Sequence, residues 1–213
     1  MLWTIAALIL SYLLGSIPTA YLFGKALKGI DIRKIGSGNV GATNALRALG
    51  RGPGAAVLFL DILKGLIAVS FLGDLFVGRD LLFQEYNLRI IMGLCSISGH
   101  IWTIFLNFKG GKGIATSFGV LLGLALRLPG LGVVILILIF TWLTVFVLTR
   151  IVSLSSIAAA LVLPLCVAFF GKTVFLFAFS LLLSVFVIFR HKANISRILQ
   201  GKEPRLYFKR PPK

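Results

Sequence analysis

Acidic residues are the scarcest chemistry in this chain, 6 Asp and Glu against 22 Lys and Arg in 213 residues, for a net charge of +16. No carboxylate pair is spaced for general acid–base work and no acidic cluster offers a divalent-metal site, so metal catalysis is not expected. Cysteine is equally sparse. Cys95 and Cys166 stand alone in apolar segments, which excludes a disulfide framework and a thiolate metal centre. No Ser-His-Asp set and no HEXXH motif is present. Charged residues make up 13% of the chain, against roughly 25% in soluble domains, which argues against a globular, water-filling surface.

What fills the space is hydrocarbon: 58% of residues are hydrophobic, and the mean hydropathy is +1.02. The composition is that of an all-α integral membrane protein. So basic a chain would also fit a nucleic-acid binder, but here the charges flank apolar runs, as cytoplasmic loops of membrane proteins do. No nucleic-acid partner is expected. A helix needs about 20 apolar residues to cross the hydrocarbon. Segments 2–23, 53–73, 90–108, 131–149, 151–170 and 173–189 meet or approach that length. The first lacks a basic leader and runs on through Gly15 and Pro18, so it reads as a retained span rather than a cleaved signal. Segment 114–126 is too short to cross unaided, and it decides the topology.

Counting charges favours including it. With seven spans, one side carries Lys25, Lys28, Arg33, Lys34, Arg47, Arg51, Lys109, Lys112, Arg150, Arg190, Lys192, Arg197, Lys202, Arg205, Lys209, Arg210 and Lys213, 17 in all. The other carries 4, namely Arg79, Arg89, Arg127 and Lys172, together with Asp74, Asp80 and Glu85. The positive-inside rule then sets seven transmembrane helices with the N-terminus outside and the C-terminus cytoplasmic. Residues 1–213 are expected to form one membrane-embedded domain, whose cytoplasmic loops are 24–52, 109–113, 150–156 and the tail 190–213.

The polar chemistry collects in those loops. The stretch GSGNVGATN, Gly36 to Asn44, crowds glycines and small polar residues together. Glycines let backbone N–H groups converge on an anion, and Thr43 or Asn44 is placed to cap a following helix whose N-terminal end attracts negative charge. Ala42 and Thr43 stand where a P-loop needs Lys and Ser/Thr, so a nucleoside triphosphate is not the ligand. Arg47, one turn further on, supplies a bidentate phosphate partner; without it the stretch reads equally as a flexible connector. In FKGGKGIATS (108–117), Lys112 lies between Gly111 and Gly113. It serves either as an anion ligand or as a snorkelling lysine beside a tight turn. In the tail, His191, Asn194 and Arg197 recur every three residues along one side of a helix that Gly201 and Pro204 terminate. An amphipathic helix resting on anionic lipid competes with a site there. Ser153, Ser155 and Ser156 open a span, either for a ligand or bonded back to the helix. Asp61 and Lys64 are spaced to pair within a span. His100 and Trp102, near the middle of the third span, read as packing residues or interfacial anchors.

SGNVGATN with Arg47, GGKG with its following Ala-Thr, and H-x2-N-I-x-R-x3-G-x-E closely resemble the three cytoplasmic motifs of the bacterial acyl-phosphate:glycerol-3-phosphate acyltransferase family (PlsY). The resemblance runs in order from the GSIPTAYLFGK end of the first span to Glu203. Ile198 stands where that family often has Leu, a volume-conserving change. The resemblance implies seven helices in the bacterial inner membrane, with the active site on the cytoplasmic face. It implies transfer of an acyl group from acyl phosphate to the 1-hydroxyl of glycerol 3-phosphate, giving lysophosphatidic acid and phosphate, the first step of phospholipid synthesis. No cofactor, metal, acyl carrier protein or coenzyme A thioester would take part, the acyl chain would lie among membrane lipid, and a monomer is the expected state. Carried over by motif, Ser37, Gly38, Asn39, Gly41, Thr43 and Asn44 would form the acyl-phosphate loop. Gly111 and Gly113 would flank Lys112, which with Arg47 would hold phosphates. Ser156, with Ser153 as the neighbouring choice, His191 and Asn194 would complete the polar site.

The chemistry is consistent with that inventory. An acyl phosphate is an activated mixed anhydride, so orientation worth about 7–11 kcal/mol and donors worth about 3–4 kcal/mol each make a strong base dispensable. His191 is expected to bind and orient, while a substrate phosphate oxygen helps remove the hydroxyl proton. Two other classes fit the residues less well. A transporter of a phosphorylated metabolite would need anion-binding groups on both faces, and a lipid-binding structural protein leaves His191 and Asn194 without a purpose.

Overall fold

The computed structural model describes residues 1–76, 78–79, 82–171 and 173–207; of the charges counted above, Asp80, Lys172, Lys209, Arg210 and Lys213 lie outside the described residues. Among those described, all regular structure is helical. The chain divides into two compact units, Met1–Pro129 and Gly130–Lys213.

The first unit begins with α1 (Leu2–Ser16) and α2 (Thr19–Lys28). One uninterrupted span was expected over 2–23; the helix instead breaks at Ile17–Pro18, because proline lacks the N–H that an internal turn requires and its ring crowds the preceding carbonyl. Together the two pieces still form a 27-residue apolar stretch, Leu2–Lys28, long enough to cross a membrane. A short helix, α3 (Ala42–Leu49), precedes α4 (Arg51–Val69) and α5 (Phe71–Phe76), then α6 (Glu85–Ile101) and α7 (Ile114–Ala125). Single 3-10 turns at Ile32–Lys34 and Ile104–Leu106 shape the loops beside α2 and α6.

Glycine sets how closely these helices approach. A methyl on Gly15 of α1 would overlap the Ser96 carbonyl of α6, and one on Gly99 of α6 would overlap the Tyr12 carbonyl. The same holds between α4 and α7, where methyls on Gly65 and Gly119 would strike the carbonyls of Thr116 and Ile62. Lipid tails are as apolar as leucine, so membrane helices associate through such backbone proximity rather than through burial from water. At the far end of α4, the buried Arg89 guanidinium donates to the Val69 carbonyl at 2.8 Å, to Asp74 at 2.6 Å and to Glu85 at 2.9 Å. Arg127 reaches the other Asp74 oxygen at 2.6 Å. Asp74 and Glu85 are thus each matched to a cation.

The second unit contains α8 (Leu131–Thr149), α9 (Val152–Phe170), α10 (Val174–Arg190) and α11 (Lys192–Leu199), with a 59° bend between the last two. Phe140, Leu148 and Phe169 are among many large apolar side chains left exposed, as lipid-facing helices require. In total the described residues hold five helical stretches that can cross a membrane, or six if α10 and α11 count as one. A seventh would need α7, whose 12 residues reach only about 18 Å of the roughly 30 Å hydrocarbon core.

Candidate active site

The expected residues fall into two clusters, one in each unit. In the first unit, α2 ends at Gly29 in the left-handed conformation, with its N–H on the Lys25 carbonyl. The chain then makes the 3-10 turn, where Asp31 caps the Arg33 N–H at 3.0 Å and clasps its guanidinium at 2.7 Å. The hydrogen bond from Arg33 is the main reason the Asp31 carboxyl lies at about 2, below its ordinary range.

The glycine loop follows and is folded from inside by Asn44. Its buried amide accepts from the Ser37 N–H at 3.1 Å and donates to the Ile32 and Ile35 carbonyls at 3.1 and 3.0 Å. Gly36 and Gly38 sit at φ 61 and 68, where any other residue would be strained, and a methyl on Gly36 would overlap the Asn44 oxygen. This folding uses the amides expected to face an anion. The Ser37 N–H goes to Asn44, the Gly38 N–H to the Ile35 carbonyl at 3.1 Å, and the Asn39 N–H lies 3.5 Å from the Ser37 hydroxyl. Neither Thr43 nor Asn44 caps α3; the cap position is Gly41, with no side-chain hydrogen bond, and both expected residues lie inside the first turn. The helix start therefore presents backbone donors, with Arg47 exposed in the last turn of the same helix.

The GGKG segment is pinned beneath. The Gly110 and Gly111 N–H groups each donate at 3.0 Å, to the carbonyls of Ile101 and His100 at the end of α6. A methyl on Gly111 would overlap His100 Nε2 and approach the Val40 carbonyl to 2.7 Å, so Gly111 is the point where the two glycine-rich segments meet. Asn107 and Phe108, just before, hold positive φ of 52 and 60 without being glycine, a local strain that the surrounding contacts sustain. Lys112 is half-buried, and Gly113, at φ 82, starts α7. Beside the break in the first span, Ile17, Pro18, Tyr21, Leu22, Phe105 and Leu106 line an apolar groove of about 410 Å³.

His100 does not sit mid-span as expected. Helix α6 starts at Glu85 and ends at Ile101, so His100 is its penultimate residue and is buried. Its Nδ1 lies 3.6 Å from the Asp61 carboxylate, which also receives Lys64 at 2.9 Å and the Thr19 hydroxyl at 2.6 Å. The expected pairing of Asp61 with Lys64 is thus part of a larger network.

In the second unit the hub is Glu203. Its carboxylate accepts from the Ser153 hydroxyl at 2.7 Å, the Asn194 amide at 2.5 Å and the Arg197 guanidinium at 2.6 Å. Burial by itself would raise its pKa; those three hydrogen bonds outweigh burial and hold the carboxyl below its ordinary value. Ser153, not Ser156, shares a partner with Asn194. Ser156 bonds back to the Val152 carbonyl at 2.9 Å and accepts from the Trp142 indole at 3.3 Å. His191 sits at the bend between α10 and α11, where its Nδ1 lies 2.7 Å from the Val187 carbonyl. A carbonyl only accepts, so Nδ1 carries a proton in that contact. The third motif ends on Glu203, the lone acid in the tail 190–213, but the sequence assigns it no role.

Residues 5–201 match the family model described as Glycerol-3-phosphate acyltransferase. The chain belongs to this family. A glycerol-3-phosphate acyltransferase of Gloeobacter violaceus is 45% identical over 92% of this chain and 91% of its own. That of Fusobacterium nucleatum is also 45% identical, over 94% and 97%. Crystal structures of PlsY (YgiH), described as an integral membrane glycerol 3-phosphate acyltransferase, share the fold of this acyltransferase. The glycerol 3-phosphate form matches with a TM-score of 0.84 at 38% identity over 96% of both chains, and the lysophosphatidic acid form with 0.81 at 37%.

Proposed function

We propose that this integral-membrane glycerol-3-phosphate acyltransferase takes its acyl group from acyl phosphate, releases inorganic phosphate and acts as a monomer. The glycerol 1-hydroxyl attacks the acyl carbonyl carbon, the carbonyl–phosphate C–O bond breaks, and the hydroxyl proton passes to a phosphate oxygen. No strong protein base is needed, because the leaving group is already good. Arg47 and Lys112 hold phosphate oxygens, with the Ser37, Asn39 and Thr43 side chains and the α3 start completing the loop between Gly38 and Gly41. Gly111 and Gly113 give Lys112 its close approach. Asn44 shapes the loop rather than touching substrate. In the second unit, His191, Asn194 and a serine of the 153–156 turn supply polar groups for binding and orientation.

The observation that carries this reading is the internally folded glycine loop leading into an uncapped helix that bears Arg47. A site this basic, with no acidic metal cluster among the described residues, suits phosphate substrates. The excess of cations in loops 24–52, 109–113, 150–156 and 190–213 supports seven spans in the bacterial inner membrane and a cytoplasmic site.

Purified protein supplied with acyl phosphate and glycerol 3-phosphate is expected to release phosphate and lysophosphatidic acid without a membrane gradient. Lys112→Ala and Arg47→Ala are each expected to lose nearly all of that turnover; parent-like rates in either would refute the clamp. Gradient-driven flux of glycerol 3-phosphate with no product would instead mark a transporter.

A further inference from the structure

The first unit buries three ionisable side chains from different parts of the sequence in one contact set. Asp61 is 1% exposed, Lys64 4% and His100 7%. Ionisable groups within membrane helices are costly and are kept where they serve a function. The pair Asp61–Lys64 alone would satisfy both charges, yet the set reaches further, to the start of α2 through Ile17 and Thr19 and to the proposed phosphate site through His100. Lys64 donates to the Ile17 carbonyl at 3.0 Å, at the break where the first span would otherwise continue. Asp61 receives the Thr19 hydroxyl that opens α2, the helix leading into the glycine loop. His100 supports the second segment twice: its carbonyl takes the Gly111 N–H, and its ring abuts Gly111, with Val40 of the glycine loop on the other side. The pocket bounded by Pro18, Thr19, Val40, Lys64, His100 and Gly110 is closed to water-sized molecules, so these groups have one another as neighbours rather than solvent.

We infer that Asp61, Lys64 and His100 form a buried positioning network that fixes the Val40 and Gly110–Gly111 segments against each other and thereby sets the location of Lys112. The Asp61 carboxylate orients the imidazole from the Nδ1 side, so that Nε2 meets Gly111. Loss of that orientation lets the GGKG segment shift, and a displacement of about 1 Å at a reacting group is enough to reduce rate on the order of a hundredfold. None of the three touches substrate.

The inference rests on the phosphate-clamp reading of Lys112, and the test separates the two. Full-length protein in lipid nanodiscs is assayed for phosphate release with both substrates, alongside its thermal midpoint. His100→Leu is expected to lower kcat/KM about tenfold or more with an unchanged midpoint, and His100→Gln, which keeps a donor toward Asp61, to recover most of that loss. Asp61→Asn and Lys64→Met should each lose stability, since a single partner leaves a buried charge uncompensated. The double variant should regain stability while kcat/KM stays about tenfold down or lower. Parent kcat/KM in His100→Leu, or recovery of both quantities in the double variant, would overturn the network. If His100→Leu does not fold, the double variant decides on the same criterion. An inactive Lys112→Ala beside a parent-like His100→Leu leaves the clamp standing and removes the network; an active Lys112→Ala removes the clamp itself.

Discussion

Asn44 makes three hydrogen bonds inside the glycine loop and holds its shape from within. Asn44→Asp keeps the acceptor for the Ser37 N–H but removes the donors to the Ile32 and Ile35 carbonyls. The Ile35 and Gly38 N–H groups still reach those two carbonyls, so each lost amide hydrogen bond costs about 0.5–1.5 kcal/mol. The aspartate variant is therefore expected to lower the thermal midpoint as much as Asn44→Ala does, and to lose activity with it. A residue that only contacted substrate would lose activity with its midpoint unchanged, and that result would return Asn44 to the binding surface. The sequence made the composition of this loop legible but not the direction of its groups. Spacing marks Asn44 and Ser156 as polar residues at loop-proximal positions, and only the folded backbone decides that one amide turns inward and one hydroxyl bonds to its own helix. Glu203 could be quoted as the last position of a motif, but its role as acceptor for three donors shows only in the fold.

The apolar spans, though not the helix ends or the break at Ile17–Pro18, were readable from hydropathy, because the hydrocarbon thickness fixes how many apolar residues a span needs. Helix partners were not. On a lipid-exposed helix every face is apolar, so the periodicity that marks a buried face in water carries little information. What distinguishes the α4–α7 contact is glycine, and the chain has 23 of them, most indistinguishable in sequence. A methyl on Gly119 of α7 would strike the Ile62 carbonyl, whereas one on Gly132 of α8 would meet nothing within 4 Å. The same substitution should therefore act with opposite signs. Gly119→Ala is expected to destabilise by about 1–3 kcal/mol through overpacking, and Gly132→Ala to stabilise by about 0.5–1 kcal/mol through helix propensity. Thermal unfolding of the two variants in the same detergent checks both. Equal effects would mean that α4 and α7 do not approach as closely as their backbones indicate.

At the scale of the whole chain, the cation count makes the strongest claim about sidedness, and α7 is where it is exposed to test. The lopsided distribution of Lys and Arg holds only if the segment 114–126 returns the chain across the membrane, yet its helix is 12 residues long, far short of a free-standing span. Close packing against α4 through Gly65, Gly119 and Gly123 offers a reason such a helix can persist: its polar ends need not meet lipid where protein covers them. The consequence is measurable by thiol labelling in a background without Cys95 and Cys166. Lys28→Cys and Lys202→Cys, both at exposed positions, should react with a membrane-impermeant maleimide only after permeabilisation, and Arg79→Cys should react in intact cells. Arg127→Cys, just beyond α7, discriminates: labelling from outside means the segment crosses, and labelling only after permeabilisation means it turns back. In the second case the tail, three spans further on, would have to emerge outside. Lys202→Cys would then label in intact cells, and a cytoplasmic role for the His191–Asn194 segment would fall with it.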